Sequence, residues 1–205
     1  MKVLIACEFS QIVTQAFRDK GHEAFSCDIL PTEGNPSWHY QGNVFDIIND
    51  NWDLMIAHPP CTYLSYAGIK YWNDDGRKEK RGHAFDFFMK LYNAPIPKIA
   101  VENPVGYPNT IFRKPDQIVR PYYFGESEQK NICLWLKGLP KLVHIKLPDL
   151  FLPVTHVQKP LPKYIDKSGK PRYFTDAISG YSKNAKQSRS RFFVGIAKAM
   201  AAAWG

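Results

Sequence analysis

The 205-residue sequence has none of the usual marks of a membrane protein or a secreted protein. No apolar run approaches the length of a transmembrane helix. The start, MKVLIACEFS, carries one lysine and a short apolar run that ends at Glu8, which predicts a buried first strand and not a signal peptide. Only four cysteines are present, Cys7, Cys27, Cys61 and Cys133, and none has the CxxC spacing of zinc ligands. We therefore predict a cytoplasmic protein with reduced thiols, no metal site and no membrane partner.

Acidic residues are scarce in the second half of the chain. The net charge is +8, yet residues 1–100 contain 10 Lys and Arg against 12 Asp and Glu. Residues 101–205 contain 17 against 7. This basic second half predicts a polyanionic partner such as nucleic acid, although a lysine-rich solvated surface would give the same pattern. The length and the 44% hydrophobic content predict one sizeable globular core.

The first 28 residues have the pattern of a βαβ unit. Residues 2–7 are a continuous apolar run, residues 12–20 are amphipathic, and residues 24–27 predict a second strand that closes at Asp28. An acid at the end of the second strand is the usual partner of ribose hydroxyls in nucleotide-binding folds. The first turn, FSQIV, lacks a GxG pattern, so we expect a nucleoside ligand without phosphates, and S-adenosylmethionine is the obvious candidate.

Two later strands are followed by chemically reactive side chains. Residues 54–57 predict a buried strand that a double proline ends, because proline removes backbone donors, and Cys61 follows in the turn. Residues 98–101 predict another buried parallel strand, which ends at Glu102. Both side chains would lie at the carboxyl edge of the sheet, where open α/β sheets bind ligands. We expect burial to favour the neutral form of Glu102, although a purely structural cysteine remains the alternative for Cys61.

The remaining pattern predicts connections and two helices. Residues 31–40 predict a loop, and residues 42–46 a short element that borders a cofactor pocket. Residues 63–81 are polar, aromatic and charged, which predicts a long, mobile, basic loop over the active face. Residues 83–93 predict an amphipathic helix, and residues 193–204 predict an Ala-rich helix packed against the sheet.

The motifs at the predicted strand ends resemble those of the DNA cytosine-5 methyltransferases. The run His58-Pro59-Pro60-Cys61 resembles the proline–cysteine motif of that family. Glu102-Asn103-Pro104-Val105 resembles the family's glutamate–asparagine motif. Phe9-Ser10 is similar to the start of the cofactor motif, and Asp28 stands at the acid that holds the cofactor ribose. The order and spacing of these motifs agree over residues 1–135.

The later part of the chain adds to the resemblance. Residues 121–135 resemble the strand motif that bears Gln and Arg, and residues 189–197 resemble the final motif, whose helix closes the cofactor pocket. The whole layout is similar to that of small phage and prophage members of the family. The resemblance implies an α/β, Rossmann-like, class I S-adenosylmethionine-dependent methyltransferase in the host cell cytoplasm. It divides the chain into a catalytic and cofactor-binding core (1–135), a short basic recognition segment (136–188) and a returning C-terminal helix (189–205).

The resemblance also implies an activity and the residues that carry it. The protein would methylate carbon 5 of a cytosine flipped out of DNA. Cys61 would attack carbon 6, while Glu102 would hydrogen-bond the ring nitrogen and the exocyclic amine. Lys130 would substitute for the family's arginine that helps hold the cytosine. The implied cofactor contacts are Phe9, Ser10, Asp28, Ile29, Asn43, Val44, Pro59 and Ile196. The implied substrate or DNA contacts are Ser65, Asn103, Lys167, Lys170, Arg189 and Arg191.

Three residues depart from the family pattern and leave other functions open. Gln11 stands at a position that favours glycine, Asn43 where an acid contacts the adenine amine, and Asn131 where an arginine holds the cytosine. A degenerate relative that binds DNA or cofactor without turnover is therefore one alternative. The short recognition segment favours a second, the same chemistry on free deoxycytidine nucleotides. An amino-methyltransferase fits less well, since His58 stands where that class has Asp or Asn before Pro-Pro.

Overall fold

The computed structural model describes residues 1–144, 159–173 and 191–205. Within these ranges the chain forms α-helices, β-strands and several short 3₁₀ turns. The strands are β1 (Lys2–Ala6), β2 (Glu23–Asp28), β3 (His39–Gln41), β4 (Leu54–Ala57), β5 (Lys98–Pro104), β6 (Gln117–Val119), β7 (Ile132–Lys137), β8 (Tyr164–Ile165) and β9 (Pro171–Arg172). The helices are α1 (Ile12–Arg18), α2 (Arg77–Tyr92), α3 (Tyr107–Ile111) and α4 (Val194–Trp204).

Seven strands form one mostly parallel sheet in the order β3-β2-β1-β4-β5-β7-β6. The strands from β1 to β5 run parallel to their neighbours, whereas β7 runs antiparallel to both β5 and β6. The short strands β8 and β9 pair as a separate antiparallel hairpin. The predicted α/β class is therefore confirmed, and the sheet is compatible with a Rossmann-like fold.

Each face of the sheet has its own apolar core, because successive strand residues point to opposite faces. Val3 and Ile5 of β1 pack with residues of α1 and α4 on one face. Leu4 and Ala6 of the same strand pack with residues of α2 on the other face. Helices cover both faces, which explains why the central strands are apolar throughout. The predicted buried parallel strands at residues 2–7, 54–57 and 98–101 are confirmed to within a few residues at their ends.

The strand order reverses between β1 and β4. From β1 the chain moves outward through β2 and β3 and then returns to form β4 on the other side of β1. Such a reversal leaves a crevice outside the carboxyl ends of the two strands, and ligands bind there in open α/β sheets. A small cleft lies at this point and is lined by Cys7, Glu8, Phe9, Ser10, His58 and Phe192. We call it the switch-point cleft.

The prediction of a long loop over residues 63–81 is wrong at its C-terminal end, because residues 77–81 belong to a helix. Tyr66–Tyr71 form 3₁₀ turns, and α2 begins at Arg77 and not at the predicted residue 83. Trp72 holds this segment in place, since its ring lies 5.2 Å from that of Tyr66 and 5.8 Å from that of Tyr107, centroid to centroid. The buried Arg81 guanidinium lies 4.3 Å above the same indole. The charged run therefore forms the first turns of a packed helix.

The other connections are partly as predicted. Residues 31–40 are not simply a loop, because they contain a 3₁₀ turn, Pro36–Trp38, and enter β3, which pairs with β2. The short element predicted at 42–46 is a 3₁₀ turn, Val44–Asp46. The final helix α4 is confirmed and packs in the same apolar core as α1. No helix in the three described ranges is long and apolar enough to cross a membrane.

Candidate active site

The turn after β1 uses an internal carboxylate to complete the start of α1. One oxygen of Glu8 accepts a hydrogen bond from Val13 N at 2.7 Å. The other accepts bonds from Thr14 N at 3.1 Å and from Thr14 Oγ1 at 2.7 Å. Burial raises the pKa of Glu8, although the nearby His58 and the three donors act in the opposite direction. The N-terminus of α1, which binds phosphate in many nucleotide-binding folds, is thus occupied by the protein's own anion.

Gln11 takes the backbone conformation for which glycine is usually chosen. Its φ of 57° is left-handed, and Cys7 on the other side of the turn has a φ of 61°. The Gln11 side chain is buried and donates to Ser26 Oγ at 3.0 Å and to Asn35 O at 2.9 Å. It also accepts a bond from Asn35 N at 2.6 Å. The glutamine therefore ties the turn after β1 to the segment after β2, a role that glycine could not perform.

Asp28 ends β2 at the same edge of the sheet, as predicted. Its Oδ1 accepts a hydrogen bond from Leu30 N at 2.9 Å, and burial raises the pKa of its carboxyl group. The next residue, Ile29, leaves 76% of its surface exposed, which is unusual for a large apolar side chain. Asn43 is exposed and its side chain caps the following 3₁₀ turn by accepting from Phe45 N. These groups form the rim of the sheet on the β2 side of the switch-point cleft.

The other predicted cofactor residues are less accessible. Phe9 and Ser10 line the switch-point cleft, although Phe9 itself is only 5% exposed. Val44 and Ile196 are buried in the apolar cores, and Pro59 is buried below the Cys61 turn. A contact of these three residues with a ligand stays a prediction.

The turn after β4 presents Cys61 at the surface. The thiol-bearing residue is exposed, and its backbone oxygen accepts bonds from Leu64 N at 3.0 Å and Ser65 N at 2.9 Å. The amide of Asn103, fully buried in β5, donates to Pro59 O at 3.1 Å. The residue beside Glu102 therefore holds the backbone of the proline turn that carries Cys61.

A second contact joins the segments that follow β4 and β5. Ser65 and Gly106 form an isolated antiparallel bridge, in which Tyr107 N donates to Leu64 O at 2.7 Å and Tyr66 N donates to Val105 O at 3.2 Å. A Cβ atom on Gly106 would collide with the Leu64 carbonyl oxygen, so this approach requires glycine. The side chain of Ser65 caps the 3₁₀ turn by accepting from Ala67 N. Cys61 and Glu102 are thus fixed on neighbouring, mutually bonded segments.

The pKa of Glu102 is shifted in the direction opposite to the one that the sequence predicts. Burial by itself would raise the pKa of Glu102, but a hydrogen bond from His58 and the positive charges of Lys130 and His58 outweigh it and lower that pKa. The bond joins His58 Nδ1 to Glu102 Oε2 at 3.4 Å. The expectation that burial keeps Glu102 neutral is therefore wrong. The prediction failed because His58 follows β4 and Lys130 precedes β7, so neither partner is a sequence neighbour of Glu102.

Four buried polar atoms around these segments have no hydrogen-bond partner among the described residues. They are Nε2 of His58, Oε1 of Glu102, Oδ1 of Asn103 and Nε2 of Gln129. Buried polar groups are normally paired, so this set of atoms at one sheet edge makes the edge a candidate ligand site. Sequence reasoning named neither His58 nor Gln129 as a functional residue. The only available signal was their position inside the two family-like motifs.

Asn131 brings a guanidinium group to the position where the family has an arginine. Arg120 follows β6, and its Nε donates to Asn131 Oδ1 at 2.9 Å. Lys130, which the resemblance suggested as a substitute for that arginine, is close enough to Glu102 to lower the pKa of its carboxyl group. Positive charge therefore reaches this part of the site from two residues, although neither occupies the sequence position that the family pattern predicts.

The predicted DNA contacts are dispersed. Lys167 and Lys170 are exposed in the turn between β8 and β9, where Asp166 accepts bonds from Ser168 N and Lys170 N. Arg191 instead forms a two-pronged ion pair with Glu33, with N–O distances of 2.9 and 2.8 Å. Arg189 lies outside the described residues. A phosphate would have to compete with Glu33 for Arg191, so that contact stays a prediction.

Comparison with known proteins adds no assignment to this geometry. No protein-family model matches the chain, and no curated protein matches it in sequence.

Proposed function

We propose that the protein transfers a methyl group from S-adenosylmethionine to carbon 5 of a cytosine in DNA. The observation that carries the proposal is the linkage of the Cys61 turn to the Glu102 strand. Asn103 bonds the proline turn, and the Ser65–Gly106 bridge joins the segments that follow. A nucleophile and an ionisable group on neighbouring strand ends are what covalent catalysis on an electron-poor ring requires.

The residues on the β1 and β2 side fit a nucleoside cofactor better than a phosphorylated one. The Glu8 carboxylate at the start of α1 would repel a phosphate group, and it already uses the backbone donors that would bind one. Asp28 would accept the ribose hydroxyls, while the exposed Ile29 would pack against the adenine ring. When bound, S-adenosylmethionine supplies an electrophilic methyl group. These contacts support the cofactor class and leave the reaction itself to the test below.

The chemistry assigns one role to each of the two central groups. The sulfur of Cys61 forms a bond to carbon 6 of cytosine, and the electron pair of the carbon 5–carbon 6 bond becomes available at carbon 5. Oε1 of Glu102, which has no partner in the described structure, would face the ring nitrogen and the exocyclic amine. Thiolate addition would make the ring nitrogen more basic, so that nitrogen would take up a proton from the carboxyl group beside it. Because the pKa of Glu102 is lowered, its carboxylate would first have to bind a proton from water before it could donate one to the ring.

DNA is the preferred substrate in this proposal because basic side chains follow Cys61 in the chain and also occupy the β8–β9 turn. Lys70, Arg77 and Lys78 lie on the segment that follows Cys61, and Lys167 and Lys170 lie in the β8–β9 turn. Contacts from such side chains to phosphates would give an affinity that falls steeply with salt. Free deoxycytidine nucleotides would show a much weaker salt dependence.

The test is methyl transfer itself. Purified protein is incubated with methyl-labelled S-adenosylmethionine and either double-stranded DNA or free deoxycytidine nucleotides, and the products are digested to nucleosides. We expect label in 5-methylcytosine from DNA, with a rate that falls between 50 and 200 mM salt, on the scale general for phosphate-binding proteins. Label only in the free nucleotide would assign the alternative substrate. Absence of label from both, with cofactor binding measured by calorimetry, would contradict the proposal and favour a relative that only binds.

A further inference from the structure

The proposed reaction needs a base that neither Cys61 nor Glu102 supplies. After methyl transfer, carbon 5 still carries its original hydrogen, which must leave before the ring regains its double bond. Cys61 is then bonded to carbon 6, and Glu102 faces the ring nitrogen. The inference below rests on the proposed function, and it concerns His58, the titratable group between Glu102 and the switch-point cleft.

The backbone and the ring of His58 are both held in place. His58 N donates to Ala6 O at 2.9 Å, which fixes the residue between the ends of β1 and β4. Its Nδ1 lies 3.4 Å from Glu102 Oε2, and the ring packs against Phe192 with the centroids 4.5 Å apart. The side chain is 11% exposed. Long hydrogen bonds between catalytic groups commonly tighten when substrate binds, so 3.4 Å is compatible with an orienting contact.

The second ring nitrogen of His58 is the group without a structural task. Nε2 is buried and has no hydrogen-bond partner in the described parts of the chain. Leaving a buried polar atom unpaired is unfavourable, so such an atom calls for an explanation. The ring borders the switch-point cleft together with Glu8 and Phe192. That cleft is the place where the cofactor side and the Cys61 side of the site meet.

Carboxyl groups lie on both sides of the His58 ring. Glu102 contacts Nδ1, and Glu8 is near enough for the charge of His58 to lower the pKa of the Glu8 carboxyl group. Lys130, whose charge also acts on Glu102, is the opposing positive group on the neighbouring segment. A carboxylate on Nδ1 selects the tautomer in which Nε2 carries the lone pair, as in other acid–histidine pairs.

We infer that His58 is the base that removes the hydrogen from carbon 5 of cytosine, through Nε2, with Glu102 orienting its ring. The carbon 5–hydrogen bond breaks and the proton passes to Nε2. The electron pair of that bond forms the carbon 5–carbon 6 double bond, and the carbon 6–sulfur bond breaks with its pair on Cys61 Sγ. The resulting imidazolium lies between Glu8 and Glu102 and releases its proton to water after the product leaves.

The experiment separates methyl transfer from hydrogen loss. DNA with tritium at carbon 5 of cytosine is incubated with methyl-labelled S-adenosylmethionine, and three quantities are measured: methyl label in DNA, tritium released to water, and protein–DNA adduct that survives denaturant. In His58→Gln we expect methyl label to accumulate in the adduct. Tritium release should fall about 10²-fold or more, the range for loss of a general base, while the first methyl transfer falls less than tenfold.

His58→Phe is the second variant, because phenylalanine keeps a ring against Phe192 but accepts no proton. Cofactor binding by calorimetry shows that either variant is folded. Tritium release that keeps pace with methyl transfer in a folded variant would overturn the role of His58. Absence of methyl transfer by the wild-type protein would instead overturn the proposed function, and this role with it, so the two failures are distinguishable.

Discussion

Glu8 and Glu102 are two buried carboxylates at the same edge of the sheet, on either side of His58, and they differ in almost every other respect. All the donors around Glu8 belong to the first turn of α1, and burial leaves its pKa raised. Glu102 receives one long contact from His58, keeps one oxygen unpaired, and has a lowered pKa. Glu8 completes the first turn of α1, whereas Oε1 of Glu102 has no donor among the described residues.

The contrast between Glu8 and Glu102 gives a way to distinguish a structural buried carboxylate from a candidate functional one in this molecule. Burial acts to raise the pKa of both carboxyl groups, although other contacts leave the pKa of Glu102 lowered. Burial by itself therefore does not distinguish the two groups. What distinguishes them is whether the hydrogen-bonding capacity is used up within the fold. Glu8 accepts three hydrogen bonds from the first turn of α1, so its side chain acts as a helix cap. Oε1 of Glu102 has no donor within the described ranges, and it lies at the carboxyl edge of the sheet, where open α/β sheets bind ligands.

The largest expected effect concerns the nucleophile on the Glu102 side. Cys61→Ser should lower methyl transfer by about 10⁴-fold or more, as loss of a covalent nucleophile does elsewhere. The turn should keep its shape because the bonds from Leu64 and Ser65 use the backbone oxygen of Cys61. Cofactor binding, measured by calorimetry, should therefore be unchanged. Loss of cofactor binding together with activity would show that Cys61 has a structural role and would contradict its role as the nucleophile.

The next prediction compares two variants in which one or the other of these carboxylates is replaced by an amide. Glu102→Gln should lower the rate of methyl transfer by about 10²- to 10⁴-fold with little change in the free energy of unfolding. Glu8→Gln should destabilise the protein by about 1–3 kcal/mol, because an amide NH₂ group would face the donors of Val13 or Thr14. Urea unfolding and single-turnover rates are measured on both variants. If the two variants lost rate and stability to similar extents, the distinction between Glu8 and Glu102 would be contradicted.

A smaller effect should follow from separating the segment after β4 from the segment after β5, which the Ser65–Gly106 bridge joins. Gly106→Ala places a methyl group against the Leu64 carbonyl oxygen and should push the Cys61 segment away from Glu102. Misplacement of reacting groups by about 1 Å costs up to about 10²-fold in rate, so we expect a drop of about 10- to 100-fold. Gly82→Ala is the matched control, since a Cβ there meets open space within α2. A normal rate for Gly106→Ala would show that the bridge is dispensable.

The smallest effect is a pair of opposite pH dependences in stability. The raised pKa of Glu8 means that its contribution to stability declines as the pH rises from the ordinary glutamate value of 4.5 through the folded-state value. The lowered pKa of Glu102 means that its contribution is present above 4.5 and is lost as the pH falls through the folded-state value. Urea unfolding from pH 3 to 7 of wild type and the two Gln variants measures this. Slopes of the same sign would contradict the assignment.

Sequence patterns predicted the framework of the site well. The apolar runs of β1, β4 and β5 define strands buried on both faces, and the prolines after β4 end that strand where Cys61 stands. The parallel pairing of β4 with β5 then brings the Cys61 turn and Glu102 to one edge. These features depend on local periodicity and on a general rule for parallel sheets, so no distances were needed to predict them.

Sequence patterns failed where contacts between distant residues decide the result. The segment over residues 63–81 is polar and charged, which is typical of a loop, but Trp72 and Arg81 pack it against Tyr107 of α3. Gln11 looked like a weak point in a glycine-poor turn. Its left-handed φ and its bonds to Ser26 and Asn35 make it a structural link instead.

The sequence by itself determined which strands form, where they end, and which reactive residues follow them, because hydrophobic periodicity and proline geometry act over a few neighbouring residues. The direction of the Glu102 pKa shift and the contact of Glu102 with His58 became visible only in the tertiary structure. These two residues are 44 positions apart, and their contact depends on the order of strands in the sheet. A pKa depends on every charge and dipole within a few ångströms, and those neighbours are assembled only when the sheet has formed.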